Sequence, residues 1–177
     1  MEAGVALPNE GNYGVAMCFL PNDVRLNTAA RAALEKSSSD SGMTVLGWRE
    51  VPINPTVIGV TARTIMPKIA QLFVKAPDGV EGDDFERRLY LARKTTEKNF
   101  VNKVTEAYTK EILNREFYVS SWSSRTIVYK GMLIANQLGE FYPDLKNLKL
   151  ASAFGLVHSR FSTNTLGSWK LAHPYRM

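Results

Sequence analysis

The stretch YGVAMCFLP, residues 13–21, constrains the possible folds more than any other part of the chain. It is an apolar run of strand-forming residues closed by Pro21, and it reads as a buried strand. A buried strand needs hydrogen-bonded neighbours and a covering layer. Similar runs supply the neighbours: MTVLGWREV (43–51), IAQLFVKA (69–76), FYVSSWS (117–123) and, after a tight serine-rich turn, RTIVYKG (125–131). ASAFGLVHSRF (151–161) reads as the last clear strand.

Between these runs the apolar period lengthens. NTAARAALEK (27–36) is alanine-rich and helical, with Asn27 placed to cap it. Residues 83–113 read as one long helix, capped by Asp83 or Asp84, in which Phe85, Leu89, Ala92, Phe100, Val104 and Ile112 recur near helical spacing. QLGEFYPDLKNL (137–148) predicts a short helix and a loop, while SSSDSG (37–42), NPTVIG (54–59) and APDGVEGDD (76–84) mark turns and loops. Strands and helices alternate early and strands pair late. The class is therefore α/β or α+β, with a sheet buried on at least one face.

At 177 residues, with 45% hydrophobic and 22% charged content, the chain suits one domain with a core large enough to need no disulfide or metal staple. Its single cysteine, Cys18, has no internal partner, which fits a reducing compartment such as the cytoplasm. No signal-peptide pattern opens the chain and no apolar run reaches bilayer length, so no membrane association is expected. The net charge of +5 is spread along the chain rather than clustered among stacking aromatics, which argues against nucleic-acid binding.

The catalytic repertoire is sparse. Two histidines, His158 and His173, and the lack of HExxH and CxxC patterns argue against a metal site. There is no GxGxxG or GxxxxGK[ST] phosphate loop, and Cys18 lies in an apolar strand, where cysteine is usually inert. SSWSSRTIVYKGM (120–132) reads as a hairpin whose serines satisfy turn amides, with Arg125 and Lys130 bracketing the second run. HSRFSTNT (158–165) is more pointed. Arg160 offers a planar fork suited to a carboxylate or phosphate, and Thr163 and Asn164 are placed to hydrogen-bond the same anion. The alternative reading pairs Arg160 with an internal Asp or Glu and makes His158 a core histidine.

VLGWREVP, FERRLYLARK, FYVSSWSSRTIVYKGML, FYPDL and SAFGLVHSRFSTNTLGSWKLAHPYR, in that order, resemble the amidotransferase (glutaminase) domain at the amino end of the glutamate synthase large chain. The resemblance runs from about residue 13 to the last residue, Met177, and is densest from Ser121 to Arg176. It implies a class II glutamine amidotransferase: an α+β fold of the N-terminal-nucleophile type, a four-layer αββα sandwich, here partial. It also implies that Arg160 grips the α-carboxylate of glutamine, with Thr163 and Asn164 as further substrate-binding residues, and that His158 supports the strand.

In that family the nucleophile is a cysteine at the mature amino terminus whose α-amine is the base, and an Asn-Gly pair in an HNGEINT-like segment forms the oxyanion hole. Neither feature is found in these residues, and Cys18 falls inside the first matched strand. The resemblance therefore implies that residues 1–177 are one partial domain lacking the nucleophile segment and the segment after Met177, with no catalytic residue of its own and no activity alone. For the intact protein it implies ammonia channelled to 2-oxoglutarate, FMN and an iron–sulfur cluster, and electrons from a nicotinamide, a small electron-donating subunit or ferredoxin. No cofactor is expected within these residues. The alternative expectation is a non-catalytic module that binds glutamine.

Overall fold

The computed structural model describes residues 4–159 and 167–173. Four strands form one antiparallel sheet: β1 (Tyr13–Leu20), β2 (Thr44–Glu50), β3 (Lys68–Lys75) and β4 (Tyr118–Ser123), in the order β2-β3-β1-β4. The helices are α1 (Val24–Asp40), α2 (Val60–Thr64), α3 (Gly82–Thr96), α4 (Ala107–Glu116) and α5 (Leu138–Phe141). No helix among the described residues is long and apolar enough to cross a membrane.

Strand alternation divides the core in two. On one face Ala16, Cys18, Leu20, Ala70, Leu72, Val74 and Val119 pack with Leu34 of α1, Phe85 and Leu89 of α3 and Leu113 of α4. On the other, Met17, Phe19, Ile69 and Tyr118 pack under Ile58, Ala62, Phe141, Tyr142 and Trp169. Each fully buried side chain of this size contributes about 1.5–3 kcal/mol, so both covers matter to stability. The first cover is helical. The second, among the described residues, consists of short helices and irregular chain, so these residues form one sheet and not the two of a four-layer sandwich.

The four strands of residues 13–20, 44–50, 68–75 and 118–123 follow the sequence expectation closely. The helices differ in their ends. Asp23 caps α1, its carboxylate accepting from the Leu26 amide at 2.9 Å, while Asn27 spans the first turn from the Pro21 carbonyl to Arg31. The same helix runs on through the expected SSSD turn, because Ser37 donates to the Ala92 carbonyl and Ser38 to that of Leu34. In α3 the cap is Glu81, without a side-chain bond. Asp83 and Asp84 lie in the first turn, where the helix dipole favours them, and pair with Arg125 and Arg87.

The expected single helix over residues 83–113 is two. A π-turn at Glu97–Val101 interrupts it, and α4 restarts at Ala107 after Glu106 accepts from the Tyr108 and Thr109 amides. Tertiary packing favours the break: Phe100 meets Phe117 edge-on at 5.2 Å, and Val101 is buried.

Two expected strands are not strands. Residues 125–131 lack a ladder because side chains take their backbone groups: Ser121 Oγ accepts from the Val128 amide, Ser120 Oγ donates toward the Val128 carbonyl, and the Tyr142 hydroxyl donates to that of Lys130. Residues 151–159 are exposed throughout and pair with no strand among the described residues. The expectation of a buried strand there fails because an apolar run becomes a strand only where a ladder partner exists.

Candidate functional site

Arg160, Thr163 and Asn164 lie outside the described residues, so the expected carboxylate clamp is placed by sequence alone. The chain on either side of it is described. Upstream, His158 is exposed at the end of an irregular segment, and its expected role as a strand support is corrected accordingly. Downstream, Trp169 is 2% exposed and ties residues 167–173 to the second face of the sheet.

Three observations explain how Trp169 holds there. Its indole Nε1 donates to the Ala62 carbonyl at 2.8 Å, and its own carbonyl accepts from the Tyr118 hydroxyl at 2.8 Å. Its ring meets Phe141 at 5.8 Å and Phe19 at 6.4 Å. A β-carbon at Gly131 would stand 2.6 Å from Trp169 Cζ3, so only glycine leaves room for the ring. Beside it, buried Lys130 lies 4.9 Å from the Tyr118 ring and donates to the Lys170 carbonyl at 3.0 Å. Sequence reasoning named Lys130 only as a bracket of a β run; the structure makes it a tie between that run and residue 170.

A second polar constellation escaped the sequence reading altogether. Arg49 of β2 makes a two-pronged bond to Asp144, at 2.8 and 2.6 Å, and also reaches Gln71 Oε1 at 3.0 Å. The Tyr129 hydroxyl donates to the same carboxylate at 3.1 Å. Burial pushes the Asp144 carboxyl up, but the Arg49 bonds, the Arg49 charge and the Tyr129 hydroxyl together hold it below its ordinary value. Tyr129 is driven up by burial and by the adjacent carboxylate, and stays neutral. The available signal was a lone arginine inside a β run and a lone aspartate after FYP, two charges that need a partner once buried.

The serines of residues 120–124 are structural, as the hairpin reading expected of their hydroxyls. Ser123 and Ser124 bond Glu86 of α3, and Ser123 Oγ also accepts from the Arg125 and Thr126 amides. Arg125 pairs with Asp83 at 2.8 Å. A cleft of about 120 Å³ opens here between α3 and β4, lined by Glu86, Tyr90, Arg93, Ser121, Trp122 and Thr126.

Cys18 is fully buried, and burial pushes its thiol up to about 12, far from the thiolate a nucleophile needs. The sequence expectation that it is inert agrees with this environment.

Comparison with known proteins identifies the family. The model of the family "Glutamine amidotransferases class-II" matches residues 1–177. The chain belongs to the class II glutamine amidotransferases. It is 44% identical over 171 residues to "Ferredoxin-dependent glutamate synthase 2" of Synechocystis sp., covering 97% of this chain and 10% of the relative. The chloroplastic ferredoxin-dependent glutamate synthase of Oryza sativa subsp. japonica is 44% identical over 176 residues, 99% of this chain and 10% of the relative. The NADPH glutamate synthase large chain of Bacillus subtilis is 40% identical over 173 residues, 97% of this chain and 11% of the relative. The chain thus spans about a tenth of the length of these relatives.

Among the described residues, one set of contacts ties the end of this segment to the sheet. Trp169, Gly131, Tyr118 and Lys130 anchor the chain just downstream of Arg160, Thr163 and Asn164.

Proposed function

We propose that this chain carries the glutamine-holding arm of the amidotransferase domain of a glutamate synthase. The observation that carries the proposal is the Trp169 anchorage, which ties the sequence immediately after HSRFSTNT to the sheet. Arg160 presents its two-pronged donor face to the α-carboxylate of glutamine, and Thr163 and Asn164 add hydrogen bonds to the same end of the substrate. Fixing that end holds the side-chain amide where a thiolate attacks its carbonyl carbon. The tetrahedral adduct collapses with loss of ammonia, and water hydrolyses the resulting thioester. Cys18 is too deeply buried to be that thiol, so the nucleophile, its base and the oxyanion hole belong to residues other than these.

The domain is proposed to complete a four-layer sandwich together with the rest of a longer chain. In the whole enzyme the released ammonia aminates 2-oxoglutarate, and the imine is reduced to glutamate in the cytoplasm, or in a plastid for a plastid-borne form. FMN and an iron–sulfur cluster serve that reduction, with a nicotinamide, a small electron-donating subunit or ferredoxin as electron source. These residues do not fit either group. An iron–sulfur cluster takes several cysteine thiolates and the chain has one buried cysteine, and no glycine-rich phosphate loop is present for a flavin phosphate.

The test is ammonia release from L-glutamine by the 177-residue chain, purified free of other glutaminases. No ammonia above a blank is expected, and turnover would overturn the assignment of the nucleophile to other residues. A second reading, a non-catalytic glutamine-binding or regulatory module, is equally compatible with the inert environment of Cys18. It predicts glutamine binding without turnover even when the chain is joined to a complete nucleophile segment.

A further inference from the structure

The turn between β3 and α3 carries a reactive pair. Asp78 is the only aspartate or asparagine of the chain that glycine follows. Both residues are exposed, the Asp78 side chain at 96%. The Val80 amide closes the turn by donating to the Pro77 carbonyl at 3.0 Å, while the Gly79 amide makes no hydrogen bond among the described residues. Gly79 has a φ of +75°, and beyond its chain neighbours no atom lies within 4 Å of where a β-carbon on it would stand. Lys75 Nζ meets Asp78 Oδ1 at 3.1 Å, an exposed ion pair of the kind too weak to lock a carboxylate in one rotamer.

We propose that Asp78 is a site of spontaneous isomerisation to isoaspartate in the folded chain, through a succinimide formed with Gly79. The Gly79 amide nitrogen bonds to Asp78 Cγ and gives up its proton, and one oxygen of the Asp78 carboxyl leaves as water. The five-membered imide then takes up water. Opening at Cγ restores aspartate, whereas opening at the Asp78 main-chain carbonyl carbon leaves the chain running through Cγ, with the former main-chain carbonyl as a free carboxylate. One water leaves and one returns, so mass is unchanged and no oxidant or cofactor takes part. Glycine permits the closure because it has no side chain to shield the attacking nitrogen. Elsewhere the fold withholds one partner or the other. After Asp40, the Ser41 amide donates to the Ser37 and Ser38 carbonyls, and the Asp144 carboxylate is held by Arg49. Isomerisation lengthens the backbone by one carbon just ahead of α3, whose Phe85 and Leu89 fill the first face of the core. Nothing in this chemistry involves glutamine.

The test incubates the untagged 177-residue chain at neutral pH and physiological temperature, beside a synthetic peptide of residues 76–87 as the unfolded reference. Isoaspartate is counted as methyl groups transferred from labelled S-adenosylmethionine by a protein-isoaspartate methyltransferase. Electron-transfer fragmentation of the tryptic peptide 76–87 then places it. The β-linked form is expected at residue 78 of the folded chain, accumulating within about tenfold of its rate in the peptide, a barrier difference under about 1.4 kcal/mol. Asp78→Glu keeps the charge but would have to close a six-membered ring, and should lose the signal. The position is exposed, so the melt of that variant should match that of the unsubstituted chain. A folded chain slower than the peptide by more than about tenfold overturns the proposal, since the turn then protects Asp78. A residue-78 signal that survives Asp78→Glu overturns it as well.

Discussion

Removing the carboxylate of Asp144 is a sharp test of how the second face of the sheet is held. The Asp144 side chain is 5% exposed and that of Arg49 11%, and they meet through two bonds of 2.8 and 2.6 Å. Asp144→Ala leaves the guanidinium buried with only Gln71 Oε1 as acceptor and takes the partner from the Tyr129 hydroxyl. Stranding one member of a buried pair costs about 3–5 kcal/mol, against about 0–1 kcal/mol for an exposed pair. Arg49→Met/Asp144→Leu removes both charges and should cost less than Asp144→Ala alone, because neither desolvated group remains. The assay is urea unfolding followed by tryptophan fluorescence, with the coupling taken from the double-mutant cycle. Acid gives a second readout. The folded-state pKa of Asp144 is lowered, so its contribution is present above the ordinary aspartate range and is lost as pH falls through the lowered value. Asp144→Ala should flatten that part of the acid limb. A cost below about 1 kcal/mol, or single effects that simply add, would refute the buried-pair reasoning.

Further outcomes follow from the same contacts. Trp169→Ala should cost about 3–5 kcal/mol by calorimetry, since it empties a buried site and takes the indole donor from the Ala62 carbonyl. Gly131→Ala should cost about 1–3 kcal/mol through the clash with the Trp169 ring, and almost nothing further in the Trp169→Ala background. Stability should decline as pH rises above about 9, because Cys18, Tyr129 and Tyr142 all have raised folded-state pKa values and the folded chain resists their ionisation. Cys18→Ala should delay the onset of that decline, and a urea midpoint unchanged between about pH 8 and 11 would contradict it.

What was legible in the sequence was whatever depends on local chemistry. The strands at 13–20, 44–50, 68–75 and 118–123 announce themselves because apolar, β-branched and aromatic residues run together between turn residues. The inert character of Cys18 was equally plain from its apolar neighbours. What was not legible depends on partners distant in sequence. The apolar character of residues 125–131 is the same whether a neighbouring strand or the side chains of Ser121 and Tyr142 take their backbone groups. The break between α3 and α4 rests on Phe100 meeting Phe117, and helical periodicity alone runs straight through it. Arg49 and Asp144 are ninety-five positions apart, and nothing local marks them as a pair. At the candidate site, residue type suggested what Arg160 binds, whereas the anchor that supports its neighbourhood, Trp169 in the space left by Gly131, emerges only from the fold.

The central claim is that Arg160 holds the carboxylate of glutamine. Isothermal titration of L-glutamine into the chain, with Arg160→Ala and Arg160→Lys alongside, tests it most directly. A charged two-pronged contact is worth about 1.5–3 kcal/mol, so Arg160→Ala should bind about ten- to a hundredfold more weakly, with lysine recovering only part of the loss. Glutamine binding that is indifferent to both substitutions would contradict the account.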